Sequence, residues 1–103
     1  MELNSLGRFA DPAVLILSSL AGGDKHGYAL IKDIEGFAGI TLGPGTLYGA
    51  LARLERRGLV EALASEDRRQ PYRLSATGAT ALRAYLEHAR RVTATGLRRL
   101  ATA

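Results

Sequence analysis

The sequence predicts a mainly α-helical domain with a small β-hairpin, in the order helix, helix, helix, hairpin, long helix. Three observations carry that prediction. Proline and glycine punctuate the chain at Pro12, Gly22-Gly23, Gly43-Pro44 and Gly58, where helices start and stop. Leucine and isoleucine recur at helical spacing between those points. After Gly58 the period switches briefly from helical to alternating, around a polar turn.

The chain has 103 residues, 47% hydrophobic and 23% charged, which is ordinary globular composition and enough for one modest core. It has no cysteine, so disulfides and thiolate metal sites are excluded. No apolar run approaches the ~20 residues a bilayer requires, and no signal-peptide pattern opens the chain. No membrane association and a cytoplasmic location are expected. Charge is uneven: residues 1–52 carry Arg8, Lys25 and Lys32 against five acids, whereas residues 53–103 carry eleven arginines against five acids. The halves therefore stand at −2 and +6, which sum to the net +4 of the chain. A basic second half and an isoelectric point near 10.0 point to an anionic partner, nucleic acid first.

Residues 1–10, with Leu3, Leu6 and Phe9 in loose helical spacing, read as an N-terminal arm. Asp11-Pro12 starts helix one, a capping acid followed by proline at the first helical position. It is apolar nearly all round to Leu20 or Ala21, which predicts burial on several sides at the centre of the core. Ala21-Gly22-Gly23-Asp24 is a turn. It lacks the GxxxxGK[ST] context of a phosphate loop, and the later Gly36, Gly39, Gly43 and Gly45 do not form GxGxxG. Helix two runs from His26 to Phe37 with a buried stripe of Leu30, Ile31, Ile34 and Phe37. Its first turn, Lys25-His26-Gly27-Tyr28, has exposed amides and a cation suited to one phosphate. Tyr28 is expected at a half-buried core edge beside that surface.

Gly43 to Val60, GPGTLYGALARLERRGLV, is the third helix, capped by Gly43, with Pro44 inside the start and a left-handed Gly58 after the end. Leu47, Leu51 and Leu54 form its apolar stripe. Thr46, Ala50, Arg53 and Arg57 fall on another, narrow face, small near the start and cationic further along. Such a helix suits a DNA major groove. Val60, Ala62 and Ala64 then alternate as a strand, and Tyr72-Arg73-Leu74 returns. That two-stranded hairpin carries Arg68, Arg69 and Gln70 at its tip, where arginines reach a phosphate backbone or a minor groove. The last helix starts near Ala76 under a Ser75 or Thr77 cap. Leu82, Leu86, Ala89, Thr93, Leu97 and Leu100 form its stripe, widened by Tyr85 and Val92. At ~25 residues it is ~37 Å long, more than a domain this size can cover, so a second copy is expected along its far half.

The order amounts to a winged helix-turn-helix over residues 11–76 followed by a dimerisation helix over 77–103. Three motifs also resemble the PadR-like transcriptional regulators. His26-Gly27-Tyr28 matches that family's HGY element. Pro44-Gly45-Thr46-Leu47-Tyr48, with Leu51, Leu54 and Gly58-Leu59-Val60, is similar to its recognition helix, GTLYPxLxxLexxGLi. Tyr72-Arg73-Leu74-Ser75-Ala76-Thr77-Gly78 is similar to its YrLTxxG wing exit. The resemblance covers about residues 10–100, and the single long last helix is similar to the short-chain branch. Gly49 stands where the family commonly has proline, Ser75 where it has threonine. The last helix lacks the tryptophan between which some relatives hold planar drugs.

These readings converge on a homodimeric, bacterial repressor acting on a palindromic operator in double-stranded DNA. Thr46 is expected at a base edge or phosphate, and Tyr48 at a phosphate. Arg53 and Arg57 would meet backbone or guanine, Lys25 and the amides of helix two one phosphate, and Arg68 and Arg69 the flanking groove. A small-molecule or protein effector is compatible with this arrangement, and no residue identifies one. The alternative is a winged-helix protein–protein module that uses Tyr48 and the basic face for an acidic partner. No cofactor or metal is expected. Nor is catalysis: His26 and His88 lie on separate helices, with no nucleophile–base pair, metal-ligand cluster or paired-carboxylate motif.

Overall fold

A computed structural model describes residues 11–65 and 68–103; the expected N-terminal arm lies outside the described residues. The elements are α1 (Pro12–Leu20), β1 (Lys25–His26), α2 (Gly27–Ala38), α3 (Pro44–Arg56), β2 (Val60–Ala62), β3 (Pro71–Leu74) and α4 (Ala76–Thr102).

Local chemistry sets the helix ends. The Asp11 carboxylate accepts the Ala13 N–H at 2.9 Å, with Pro12 at the first helical position. Helix α2 stops at Gly39, whose φ of 67° is left-handed and whose N–H donates to the Glu35 carbonyl. Helix α3 ends in a Schellman turn. The Gly58 N–H donates to the Glu55 carbonyl and the Leu59 N–H to the Leu54 carbonyl, both at 2.9 Å, with Gly58 at φ 73°.

Helix α1 is the centre of the core, as its composition predicts: Leu15, Ile16, Leu17 and Leu20 are buried, and α1 packs against α2, α3, α4 and β3. Leu30 and Ile34 of α2, Leu47, Leu51 and Leu54 of α3, and Val60 of β2 close around it. Burying each such side chain contributes about 1.5–3 kcal/mol. Ser19, the buried hydroxyl of α1, donates to the Asp33 carboxylate at 2.6 Å, so its burial leaves no orphan.

Several expectations are corrected. The sheet has three strands, not two, in the order β1-β3-β2, all antiparallel. Lys25 pairs with Tyr72 and His26 with Pro71, so Lys25 and His26 precede α2 rather than forming its first turn. A two-residue strand has no period to read, and only its partner reveals it. On the other side Val60 pairs with Leu74, Glu61 with Arg73 and Ala62 with Tyr72. The strand predicted through Ala64 ends at Ala62, after which the Leu63 N–H still donates to the Pro71 carbonyl at 2.9 Å, at the first residue of β3. Phe37 is 52% exposed, because the buried line of α2 runs through Gly27, Leu30 and Ile34, and Phe37 lies off it. Ala50 is fully buried, one turn from Leu47 and Leu54 on the inner face of α3. Leu82, expected at a subunit interface, is buried in the chain's own core, where the first turns of α4 cross α1.

The start of α4 is locked to the end of α3. The Ser75 hydroxyl donates to the Gly58 carbonyl at 2.6 Å and accepts the Gly78 N–H at 2.9 Å. The Ser75 N–H donates to the Leu59 carbonyl. A Cβ on Gly78 would overlap that same carbonyl oxygen and stand 3.0 Å from its carbon. Past Leu82 no residue of α4 is buried, and Leu86, Val92, Leu97 and Leu100 are exposed.

Candidate nucleic-acid interface

Three separate stretches of chain meet at one open cleft of about 540 Å³, lined by His26, Gly27, Tyr28, Tyr48, Arg68, Arg69, Gln70 and Tyr72. Each stretch arrives by a different local device. His26 caps α2, its ring Nδ1 accepting the Ala29 N–H at 3.4 Å, which turns the N-terminal end of the helix toward the cleft. The start of α3 brings Tyr48, and the hairpin between β2 and β3 brings the tip residues.

Tyr48 lies directly over the backbone of Gly27. A Cβ on Gly27 would overlap the phenol oxygen and stand 2.7 Å from Cζ. The HGY and GTLY motifs are therefore one packing unit, in which the missing side chain of the first makes room for the ring of the second. Tyr28 is 64% exposed, further out than the half-buried edge expected of it, with the Lys32 ammonium 5.6 Å from its ring centroid. Tyr72 closes the floor. Partial burial, then the Glu55 carboxylate and Tyr48, hold its phenol above the ordinary value of 10.0.

The remaining predicted residues divide. Thr46 and Arg53 are exposed on α3, and Arg57 is exposed as its C-cap. Arg68 and Arg69 are exposed at the hairpin tip. Gln70 is also exposed, but its amide donates to the Leu63 carbonyl at 3.0 Å and braces the hairpin. Lys25, expected to meet a phosphate, has its ammonium engaged within the chain. Its ammonium donates to the Ser19 carbonyl at 2.6 Å and stands 3.9 Å from the Asp33 carboxylate, tying the end of α1 to β1 and α2. Pairing in β1 aims the side chain there.

Arg56 was missed by sequence reasoning. Once Ala50 is counted as buried, the inner face of α3 is Leu47, Ala50, Leu51 and Leu54, and the direction opposite it passes through Gly45, Gly49, Ala52 and Arg56. The signal was present: a buried stripe at i, i+3, i+4, i+7 places Arg56 more squarely outward than Arg53 or Arg57.

A model of the PadR-like family of transcriptional regulators matches residues 16–84. The chain belongs to that family. Solved structures of transcriptional regulators share its fold. A PadR-family regulator from Clostridium difficile is similar at TM-score 0.78 and 26% identity, over 86% of this chain and 97% of that one. A transcriptional regulator from Clostridium thermocellum is similar at TM-score 0.75 and 26% identity, over 92% and 93%. A PadR-family regulator from Eggerthella lenta is 32% identical at TM-score 0.68, over 85% and 79%. In sequence, 71 residues are 48% identical to part of an uncharacterized 37.1 kDa protein in a transposon of Streptomyces fradiae. That match takes in 69% of this chain and 21% of the transposon protein, so the chain spans about a fifth of that relative's length.

Proposed function

We propose that this PadR-family chain is a sequence-specific DNA-binding regulator, a repressor that acts in the bacterial cytoplasm as a homodimer on a palindromic operator. The observation that carries the reading is the convergence of the α2 start, Tyr48 and the hairpin arginines on one cleft, beside the exposed arginines of α3. Helix α3 enters the major groove. Thr46 lies at its edge, the Tyr48 hydroxyl and the N-terminus of α2 meet phosphate, and Arg68 and Arg69 follow the flanking strand. Lys25 is left out, since its ammonium serves the fold.

The exposed Leu86, Val92, Leu97 and Leu100 of α4 support pairing with a second copy, which also buries Tyr85, Ala89 and Thr93. Two-fold symmetry then sets half-sites about one helical turn, ~34 Å, apart. A dimer seated there blocks access to the duplex, and an effector that changes the spacing of the two α3 helices releases it.

The test selects an operator from random duplexes and follows binding by fluorescence anisotropy. The triple variant Arg53→Ala, Arg57→Ala, Arg68→Ala is expected to lose at least ~2 kcal/mol, roughly 30-fold in affinity. Wild-type affinity is expected to fall steeply with salt, as released phosphate counterions require. An operator affinity indifferent to the triple change refutes the contact assignment, and weak, salt-insensitive DNA binding favours the protein–protein module.

A further inference from the structure

The ridge of α3 directly opposite the core is Gly45, Gly49, Ala52 and Arg56. Three of these carry at most a methyl group, so Arg56 is the first long side chain on that line. Arg53 reaches the same line from its flank. Its Nη1 lies 3.7 Å from where a Cβ would stand on Gly49, so the guanidinium folds back across the glycine. Neither arginine is held by an acid among the described residues, whose cationic partners in ion pairs there are Lys25, Arg73 and Arg90.

We propose that Arg53 and Arg56 form a guanine-reading pair, with Gly49 as the positioning residue for Arg53. The proposal rests on the DNA-binding reading and adds the base chemistry to it. A guanidinium donates two parallel N–H groups to O6 and N7 of guanine, a pattern no other base pair edge offers in that register. Reaching a base edge rather than a phosphate needs a helix that seats deeply, and a ridge of glycine and alanine permits the backbone to approach. Three residues along a helix span about 4.5 Å, against 3.4 Å per base pair, so the two guanines sit on adjacent or next-adjacent pairs of each half-site. Gly49 leaves open the space over which Arg53 lies. A large side chain there would take the place of the guanidinium, whereas a single methyl at 3.7 Å is in ordinary contact.

The experiment selects a half-site with the wild-type protein, then measures binding to it and to copies in which each guanine in turn is 7-deazaguanine, which lacks the N7 acceptor. Wild-type affinity is expected to drop at two guanines. Arg56→Ala is expected to bind ~5- to 150-fold more weakly and to stop responding to one of them. Gly49→Leu, with a helix-favouring residue that keeps the fold, is expected to stop responding to the other, while Gly49→Ala still responds to both. The proposal is overturned if Arg56→Ala weakens every duplex equally, as a phosphate contact would, or if Gly49→Leu responds like the wild type. A wild-type protein that selects no duplex at all overturns the regulator reading itself, which separates the two failures.

Discussion

Gly27 has no room for a side chain, and under the proposed DNA-binding reading the reason is functional as much as structural. The ring of Tyr48 occupies the space, with Cζ 2.7 Å from the missing Cβ, yet Tyr48 is itself 49% exposed. In Gly27→Ala the phenol therefore swings into solvent at little cost in stability, and its placement against DNA is lost. Operator binding is expected to weaken by about 1 kcal/mol, the worth of one hydrogen bond. Gly27→Ala combined with Tyr48→Ala should weaken it no further than Tyr48→Ala alone, which a double-mutant cycle in anisotropy checks. Tyr72 gives a second residue-scale test. Its phenol titrates above the ordinary value because burial, then Glu55 and Tyr48, disfavour the phenolate. The folded chain thus holds this proton more tightly than the unfolded one. Stability is fully present below the unfolded value of about 10 and is lost as pH rises through the folded value. Urea midpoints are expected to fall less between pH 9 and pH 11 in Tyr72→Phe than in the wild type, and equal falls would refute the assignment.

Elements here are held by their ends. The Schellman turn after α3 presents the Gly58 and Leu59 carbonyls, and the Ser75 hydroxyl and N–H take both while capping α4. The close approach needs Gly78, because a methyl group there meets the Leu59 carbonyl, a backbone atom that cannot swing aside. This is why the wing exit reads Tyr-Arg-Leu-Ser-x-x-Gly: the side chain that caps and the glycine that admits the turn act three residues apart. Ser75 is 7% exposed, so Ser75→Ala leaves the buried Gly78 N–H without its partner and takes the hydroxyl from the part-buried bond to the Gly58 carbonyl. A loss of about 1–3 kcal/mol is expected from urea unfolding, a large share of a small domain's stability. A change below ~0.5 kcal/mol would show that water replaces the hydroxyl.

The whole molecule is elongated, 57 × 28 × 20 Å with a radius of gyration of 15.2 Å, where a compact chain of this length has about 13 Å. The excess is α4, whose 27 residues extend ~40 Å while only its first turns touch the core. Leu97 and Leu100, at 65% and 76% exposed, are surplus to the chain's own fold. Charging them should leave the winged domain intact and abolish pairing. The Leu97→Glu, Leu100→Glu double variant is expected to sediment as a monomer at micromolar concentration, with a Tm independent of concentration. The wild type is expected to sediment as a dimer whose Tm rises with concentration. A wild-type monomer would remove the symmetric operator from the reading.

What the sequence determined by itself was everything encoded within a few residues: the Asp11-Pro12, Gly43-Pro44 and Gly58 boundaries, the leucine stripes, the order of helices and hairpin, and the motifs that resemble PadR-like regulators. These are legible because capping, turn chemistry and helical period act through neighbours in the chain. The tertiary structure alone decided which residues lie together and which way they face. It paired Lys25 and His26 with β3, turned the Lys25 ammonium onto the Ser19 carbonyl, buried Ala50 and Leu82, left Phe37 outside, seated Tyr48 on Gly27 and set Arg56 on the outward ridge. Each of those outcomes depends on a partner from elsewhere in the chain or on the exact orientation of a helix against the core, and neither leaves a periodic trace in the local sequence.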